Sequence, residues 1–422
     1  VDRLPANTTG EAIMSDQSLY ELACPKAFEP VIEQVKTFIK DRIEPVTKAF
    51  YDAHNKADIW KLSDRQFEII EGLKAEARKQ NLWNFFLPNW NNVGVTNLEY
   101  AYLAQEMGQS PLAPEVFNCA APDTGNMEVL AKFGNKAQQD KWLTPLLAGE
   151  IRSCFAMTEP GLASSDAKNI ATRAVLDGDE WVIDGEKFYI SGAGDSRCKI
   201  MICMVQTNPT AHRSMRQSQI LVPMDTPGVE VLGPMHVFGD PDAPHGHMHI
   251  MLKNVRVPKE NILLGEGRGF EISQGRLGPG RIHHCMRSVG AAERALELMI
   301  KRGVSREAFG KPLVKLGGNF DVIARSRLEI DACRLMVLRA ARAMDVLGTA
   351  EARVYISGIK AMVPEITCNI IDRAIQMHGA TGVSQWTPLA SMYTGQRTLR
   401  LADGPDEVHR MVVARAEIAK YL

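Results

Sequence analysis

From about Leu19 to Glu150 the apolar residues recur at helical spacing, as in Phe28, Val31, Val35, Phe38 and Ile39, or Leu98, Tyr102, Leu103 and Met107. A period near 3.6 places such residues on one buried face, so the first third is predicted to be helical. Turn-forming residues at Pro88-Asn-Trp-Asn-Asn92 break the pattern and predict a loop between packed helices. From Ile151 to about Leu264 the texture changes to short apolar runs bounded by turns: Arg173 to Leu176, Trp181 to Ile183, Ile200 to Gln206, Gln219 to Pro223 and Met248 to Val255. These are the marks of strands. Asp177-Gly178-Asp179-Glu180 reads as a hairpin, since Asp-Gly supplies the positive φ that a tight turn demands. After Gly267-Arg-Gly269 the helical period returns, with Val289, Ala292, Leu296 and Ile300 on one stripe and long helices predicted over Asp321 to Leu347 and Glu351 to His378. No solenoid-type repeat is present. Helices, strands, helices is the order along the chain.

Length and composition narrow this picture. A chain of 422 residues exceeds what one core usually serves, so two or three domains are expected, and 45% hydrophobic with 23% charged residues is the balance of a globular protein. Lys plus Arg number 49 and Asp plus Glu 50, giving a net charge of -1, so no global field recruits polyanions. Eight scattered cysteines form no CxxC pair and no compact secreted framework, which predicts reduced thiols in an intracellular protein. No apolar run approaches the roughly 18 residues that span a bilayer, and the first residues form no signal-like h-region. The terminal Ala-Lys-Tyr-Leu does not match the peroxisomal tripeptide address. Bacterial cytoplasm, or mitochondrion or peroxisome in a eukaryote, all stay open.

Candidate chemistry gathers in five segments. Phe155-Ala-Met-Thr-Glu-Pro-Gly-Leu-Ala-Ser-Ser-Asp166 enters the strand region, and its hydroxyls and backbone N–H groups suit a polar heteroaromatic ring or a phosphate, although an ordinary Ser-rich turn has the same composition. Gly185-Glu-Lys-Phe-Tyr-Ile-Ser-Gly-Ala-Gly194 is a strand running into a Gly-rich turn, in which Tyr189 is either a binding ring or core filling. Arg306-Glu-Ala-Phe-Gly-Lys-Pro-Leu313 offers a phosphate-binding guanidinium or a helix end closed by Gly310. Gln376-Met-His-Gly-Ala-Thr-Gly-Val383 permits close backbone approach at its glycines, or is a helix C-cap. Ala402-Asp-Gly-Pro-Asp-Glu-Val-His-Arg410 carries Asp403, a candidate base or the N-cap of a helix entered at Pro405. His245-Gly-His-Met-His249 puts three imidazoles on one face of a possible strand, where zinc is conceivable, but no neighbouring Cys or carboxylate completes a compact set, and no metal site is expected.

Taken in order, these segments resemble the acyl-CoA dehydrogenase family, whose signatures are written TEPxxGSD, GxKxWITNG, RxxFGKPL, QxxGGxGY and YEGTxxIQR. The step from Glu159 to Asp166 is one residue longer than the usual signature, which resembles the subfamily containing human acyl-CoA dehydrogenase family members ten and eleven. The resemblance covers nearly the whole chain and implies an α+β fold: an N-terminal helical domain over 1–153, a β-barrel or sandwich domain over 154–263 and a C-terminal helical bundle over 264–422. It implies FAD bound by Phe155, Met157, Thr158, Ser165, Tyr189 and Ser191, with Arg306, Phe309, Gln376, Gly379 and Ala380 reaching the FAD of a partner subunit. Ser165, Arg281, Asp403 and Gly404 fall at substrate-binding places, and Asp403 stands where most members carry a glutamate base. The family's other base position falls on Gly280, which has no carboxylate. The implied reaction is α,β-dehydrogenation of an acyl-CoA thioester in fatty acid β-oxidation, by a homodimer or homotetramer, with electron-transfer flavoprotein as acceptor. A flavin monooxygenase of the same fold would need no carboxylate base, and an AidB-like DNA-binding flavoprotein would need a basic groove that neither net charge nor Arg325 to Arg342 supplies.

Overall fold

A computed structural model describes residues 18–87 and 95–422; the loop expected at Pro88-Asn-Trp-Asn-Asn92 lies outside them. The chain divides into two compact units, one built from 40–87 and 112–280, the other from the described parts of 1–39, 88–111 and 281–422.

The first unit centres on a seven-stranded sheet: β1 (Arg152–Ala156), β2 (Arg173–Asp177), β3 (Glu180–Ser191), β4 (Cys198–Gln206), β5 (Gln217–Pro223), β6 (Val229–Pro234) and β7 (His247–Pro258). Its order is β1-β4-β2-β3-β7-β6, with β5 on the side of β4. Cys154, Trp181, Ile183, Met201, Ile220, Ile250 and Val255 form its dry core. Between β2 and β3 only Gly178 has positive φ, at 64°, so the two-residue loop places its glycine first, as a type II′ turn requires. The two strand fragments read around Asp184-Gly185 are one strand, because the ladder absorbs Gly185 at a register shift and Thr172 packs where a Cβ would stand. β1 and β6 were not anticipated. β1 is short, and it is fastened to a helix by Asp123 Oδ1, which accepts from Ser153 N and Ser153 Oγ at 2.7 Å.

In the second unit, α1 (Glu29–Phe38) buries Ile32, Val35 and Phe38. Of the other helices used below, in the first unit α2 is Glu44–Asp52, α3 Asp64–Lys79 and α5 Asp123–Phe133; in the second α4 is Asn97–Met107, α7 Asn319–Glu351, α8 Arg353–His378, α9 Leu389–Leu399 and α10 Asp406–Ile418. α6 (Gly269–Ser305) contributes its residues from Arg281 onward to the second unit. Thr96 starts α4 with a reciprocal capping box to Glu99, and Asp345 of α7 accepts from the N–H groups of Asn97 and Leu98. The regular part of α7 stops at Leu347 because Gly348 turns to φ 80°. The predicted stripe on α6 buries Val289, Ala292 and Leu296, and it runs out at Ile300, which is exposed. None of the helices among the described residues is long and apolar enough to cross a membrane.

Candidate active site

In the sheet unit, the segment from Phe155 leaves β1 and is tied edge to edge with β3. Phe188 N donates to the Thr158 carbonyl at 3.1 Å, and Thr158 Oγ1 donates back to the Phe188 carbonyl. The Thr158 hydroxyl proton is thereby spent, and its lone pairs face outward as acceptors. Ser164 caps the turn by accepting from Glu159 N at 2.9 Å, whereas Ser165 is exposed. Asp166 accepts from Lys168 N at 3.1 Å at the start of a short 3-10 turn and pairs with Arg213. The extra residue of this loop is therefore absorbed in an ordered turn.

Next in sequence, β3 shifts register between Lys187 and Ile190, and Tyr189 there adopts φ 54°. That left-handed residue breaks the in-out alternation and leaves the ring 47% exposed, packed edge-on against Phe188. Core filling is thus not its role. Ser191 Oγ sits 2.8 Å from Nδ1 of His247, its cross-strand neighbour. Burial pushes the His247 imidazole below its ordinary pKa, and His245 down to about 4, so both rings are neutral at pH 7. His249 pairs with Glu186 instead. His245 packs its ring against His247, and among the described residues no three His, Cys, Asp or Glu side chains are placed to hold an ion.

Two residues of these motifs drew no role from sequence. Lys187 is fully buried, and its ammonium donates to the carbonyls of Met157 at 3.1 Å and Met204 at 2.7 Å and to Glu159 Oε1 at 2.8 Å. The Glu159 carboxylate also accepts from Ala171 N, Thr172 N and Thr172 Oγ1. Burial alone would raise the Glu159 pKa; Lys187 and these donors outweigh it and hold the group below its ordinary value.

In the helical unit, Asp403 lies in the turn between α9 and α10 at φ 55°, followed by Gly404 at φ 102°. It does not cap α10: the capping position is Pro405, with no side-chain cap, because the left-handed turn carries the Asp403 carboxylate away from the first helical N–H groups. Donors converge on this turn. Arg281 Nε reaches the Asp403 carbonyl at 2.8 Å, His409 Nε2 reaches the same oxygen at 3.2 Å, and Lys360 Nζ reaches the Gly404 carbonyl at 3.1 Å. A carbonyl can only accept, so His409 carries its proton on Nε2. Burial, with Arg281 and Lys360 nearby, pushes the His409 pKa down to about 4. His284 Nε2 lies 3.6 Å from Asp403 Oδ2. Asp403 and Arg281 are thus brought together, joined by Lys360, His284 and His409, which sequence reasoning had not singled out.

Arg306 and Phe309 occupy a different structure from the helix end expected there. α6 ends at Ser305, and Glu307–Ala308 pairs with Lys311–Pro312 across Phe309 at φ 54° and Gly310 at φ 74°. Two positive φ values make a type I′ turn, and Phe309 at its tip is 95% exposed. Gln376, Gly379 and Ala380 lie exposed at the end of α8, where Gly379 leaves the helix at φ 64°.

The chain thus joins an open mixed sheet to a helical unit that holds a carboxylate on a left-handed turn. Three family profiles match in succession: the acyl-CoA dehydrogenase N-terminal domain over 27–150, middle domain over 154–255 and C-terminal domain over 267–418. FadE2 of Mycobacterium tuberculosis, described as a probable acyl-CoA dehydrogenase, is 55% identical over 83% of this chain and 86% of its own length. Acyl-CoA dehydrogenase family member 10 of Mus musculus is 50% identical over 93% of this chain, which spans 37% of the mouse protein; the chain spans half or less of the mammalian relatives it matches. A solved acyl-CoA dehydrogenase-type chain from Mycobacterium abscessus superimposes with a TM-score of 0.91 at 48% identity, covering 95% of this chain and all of that one. The chain belongs to the acyl-CoA dehydrogenase family, whose members are FAD flavoprotein oxidoreductases.

Proposed function

We propose that the chain catalyses FAD-dependent α,β-dehydrogenation of an acyl-CoA thioester to the trans-2-enoyl-CoA, with Asp403 as the base. The observation that carries this reading is the Asp403 turn, in which an acid sits on a left-handed residue whose own carbonyl meets Arg281 and His409 and whose neighbour Gly404 accepts from Lys360. Cationic and N–H neighbours favour the ionised acid that proton abstraction requires. The residues present fit a flavin. Thr158 offers lone pairs to an imide N–H, Ser191 a hydroxyl, and Tyr189 an open ring face beside them. When bound, FAD supplies the hydride acceptor.

Each residue then has a task. Asp403 takes the α-proton, its backbone N–H and Gly404 are assigned to the thioester oxygen, and Ser165 and Arg281 are further substrate-binding residues. Hydrogen bonds to that oxygen acidify the α-carbon. Arg306, Phe309, Gln376, Gly379 and Ala380 serve the flavin of a second copy, which accounts for an aromatic ring displayed at a hairpin tip. Large exposed side chains on α7, Phe320, Leu328 and Leu335, provide apolar surface for assembly into a dimer or tetramer. Electron-transfer flavoprotein is the acceptor proposed.

Anaerobic addition of acyl-CoA thioesters of graded length to the flavin-loaded protein tests the reading: the flavin absorbance should bleach. Asp403→Asn should slow bleaching about 10²- to 10⁴-fold, the usual contribution of a positioned base. Bleaching at the wild-type rate in that variant removes Asp403 from the mechanism.

A further inference from the structure

Residues 281, 284 and 288 are spaced so that they lie along one face of α6. All three reach the base-bearing region: Arg281 holds the Asp403 carbonyl, His284 Nε2 stands 3.6 Å from Asp403 Oδ2, and Ser288 Oγ donates to Gln396 Oε1 at 2.6 Å. His284 Nδ1 faces Arg287 Nη2 at 3.3 Å. A guanidinium only donates, so the ring nitrogen turned to it carries the lone pair, and the ring proton sits on Nε2, the nitrogen nearer the carboxylate.

The length of the acid matters to this arrangement. A glutamate at 403 would carry its oxygen about 1.5 Å further. Extended toward His284, that oxygen would stand about 2 Å from Nε2, closer than any hydrogen bond allows. The imidazole therefore occupies room that only the shorter acid leaves.

We propose that Asp403 and His284 are a matched pair, in which His284 is a positioning residue whose Nε2 edge, 3.6 Å from Oδ2 and braced by Arg287, bounds the room in which the short carboxylate that takes the α-proton can turn. The pairing rests on Asp403 being the base. Among the described residues, titratable groups near the pair are Arg281, His283 and Arg287 on the same helix, Lys360 on α8 with Asp406 beside it, and His409 on α10. Removing the imidazole donor disfavours the charged acid, so the apparent pKa governing bleaching moves to higher pH.

The test is a stopped-flow cycle on the flavin-loaded protein, with flavin content and resting visible spectrum confirming that each variant is intact. His284→Leu should slow bleaching about a hundredfold and move its pH profile upward. His284→Gln, which keeps an N–H near the Nε2 position, should stay within about tenfold of wild type with the profile unmoved. Asp403→Glu should be slow alone, and Asp403→Glu with His284→Ala should exceed the product of the two single effects by about tenfold or more, since neighbouring side chains couple. Costs of seating glutamate at 403 enter both backgrounds and cancel. The pairing is overturned if Leu and Gln at 284 fall equally, or if the double variant equals the product of the singles. If Asp403→Asn is inactive while His284→Leu matches wild type, the pairing alone fails; if Asp403→Asn bleaches normally, the base assignment fails with it.

Discussion

Each unit buries one lysine completely beneath a motif turn, Lys187 under the Thr158 segment and Lys360 under the Asp403 segment, and the two are compensated differently. Lys187 meets a carboxylate, Glu159, together with two carbonyls. Lys360 meets the carbonyls of Leu399 and Gly404, with the Asp403 and Asp406 charges nearby, and burial holds its pKa below the ordinary lysine value. The contrast separates two uses of one residue type. A self-neutralised pair fixes a turn whose task is shape. A cation left partly uncompensated also fixes a turn, and in addition biases the acid beside it toward its charged form.

The sharpest way to break this contrast is to delete each ammonium. Lys187→Met strands a buried carboxylate and should cost about 3–5 kcal/mol in denaturant unfolding. Adding Glu159→Gln should recover part of that loss; no recovery would mean the pair is not its source. Lys360→Met leaves carbonyls rather than a charge unsatisfied and should cost less, about 1–3 kcal/mol. Equal losses at the two sites would dissolve the comparison.

A smaller effect is the dependence of stability on pH, where one group can supply at most about 1.4 kcal/mol per pH unit. Glu159 has a depressed folded pKa, so its contribution is complete above the unfolded value and is lost as pH falls through the folded one. Lys360 also has a depressed folded pKa, but as a base. Between its folded and unfolded values the unfolded chain holds the proton more readily, so stability rises with pH there. Both slopes have the same sign at opposite ends of the scale. Glu159→Gln should flatten the acid limb of a melting-temperature profile, and Lys360→Met should take a rising contribution out of the alkaline limb; a swapped assignment would refute the ionic account.

The last comparison is between two glycines, and its second member carries the smallest effect. A Cβ at Gly404 would lie 2.9 Å from His409 Nε2 at a φ of 102°, so Gly404→Ala should cost about 1–3 kcal/mol and weaken the His409 bond to Asp403. Gly161 has open space, and Gly161→Ala should change unfolding by under about 0.5 kcal/mol. A costly Gly161→Ala would show that the Thr158 turn is the more tightly built of the two.

What was legible in the sequence follows from range. Asp321 to Leu347 read as a helix because its own periodicity carries the signal, and the regular helix ends there. Asp403 and Tyr189 were singled out through the motifs that hold them. Lys187 and Lys360 were not, since a buried cation leaves no periodic trace and its partners lie elsewhere: Glu159 is 28 residues from Lys187, and Gly404 is 44 from Lys360. Short strands failed for a related reason. β6 ends in Gly233 and Pro234, is largely unburied, and owes its existence to pairing with β7.

The left-handed backbone at Asp403 has one more consequence. Among side chains with a Cβ, aspartate and asparagine settle most easily into that region, since their short polar groups can bond locally. Acid and turn have therefore selected each other. An engineer seeking longer reach here would have to redesign the loop from 402 to 405 as a unit, because the residue cannot be lengthened without re-threading the chain that carries it.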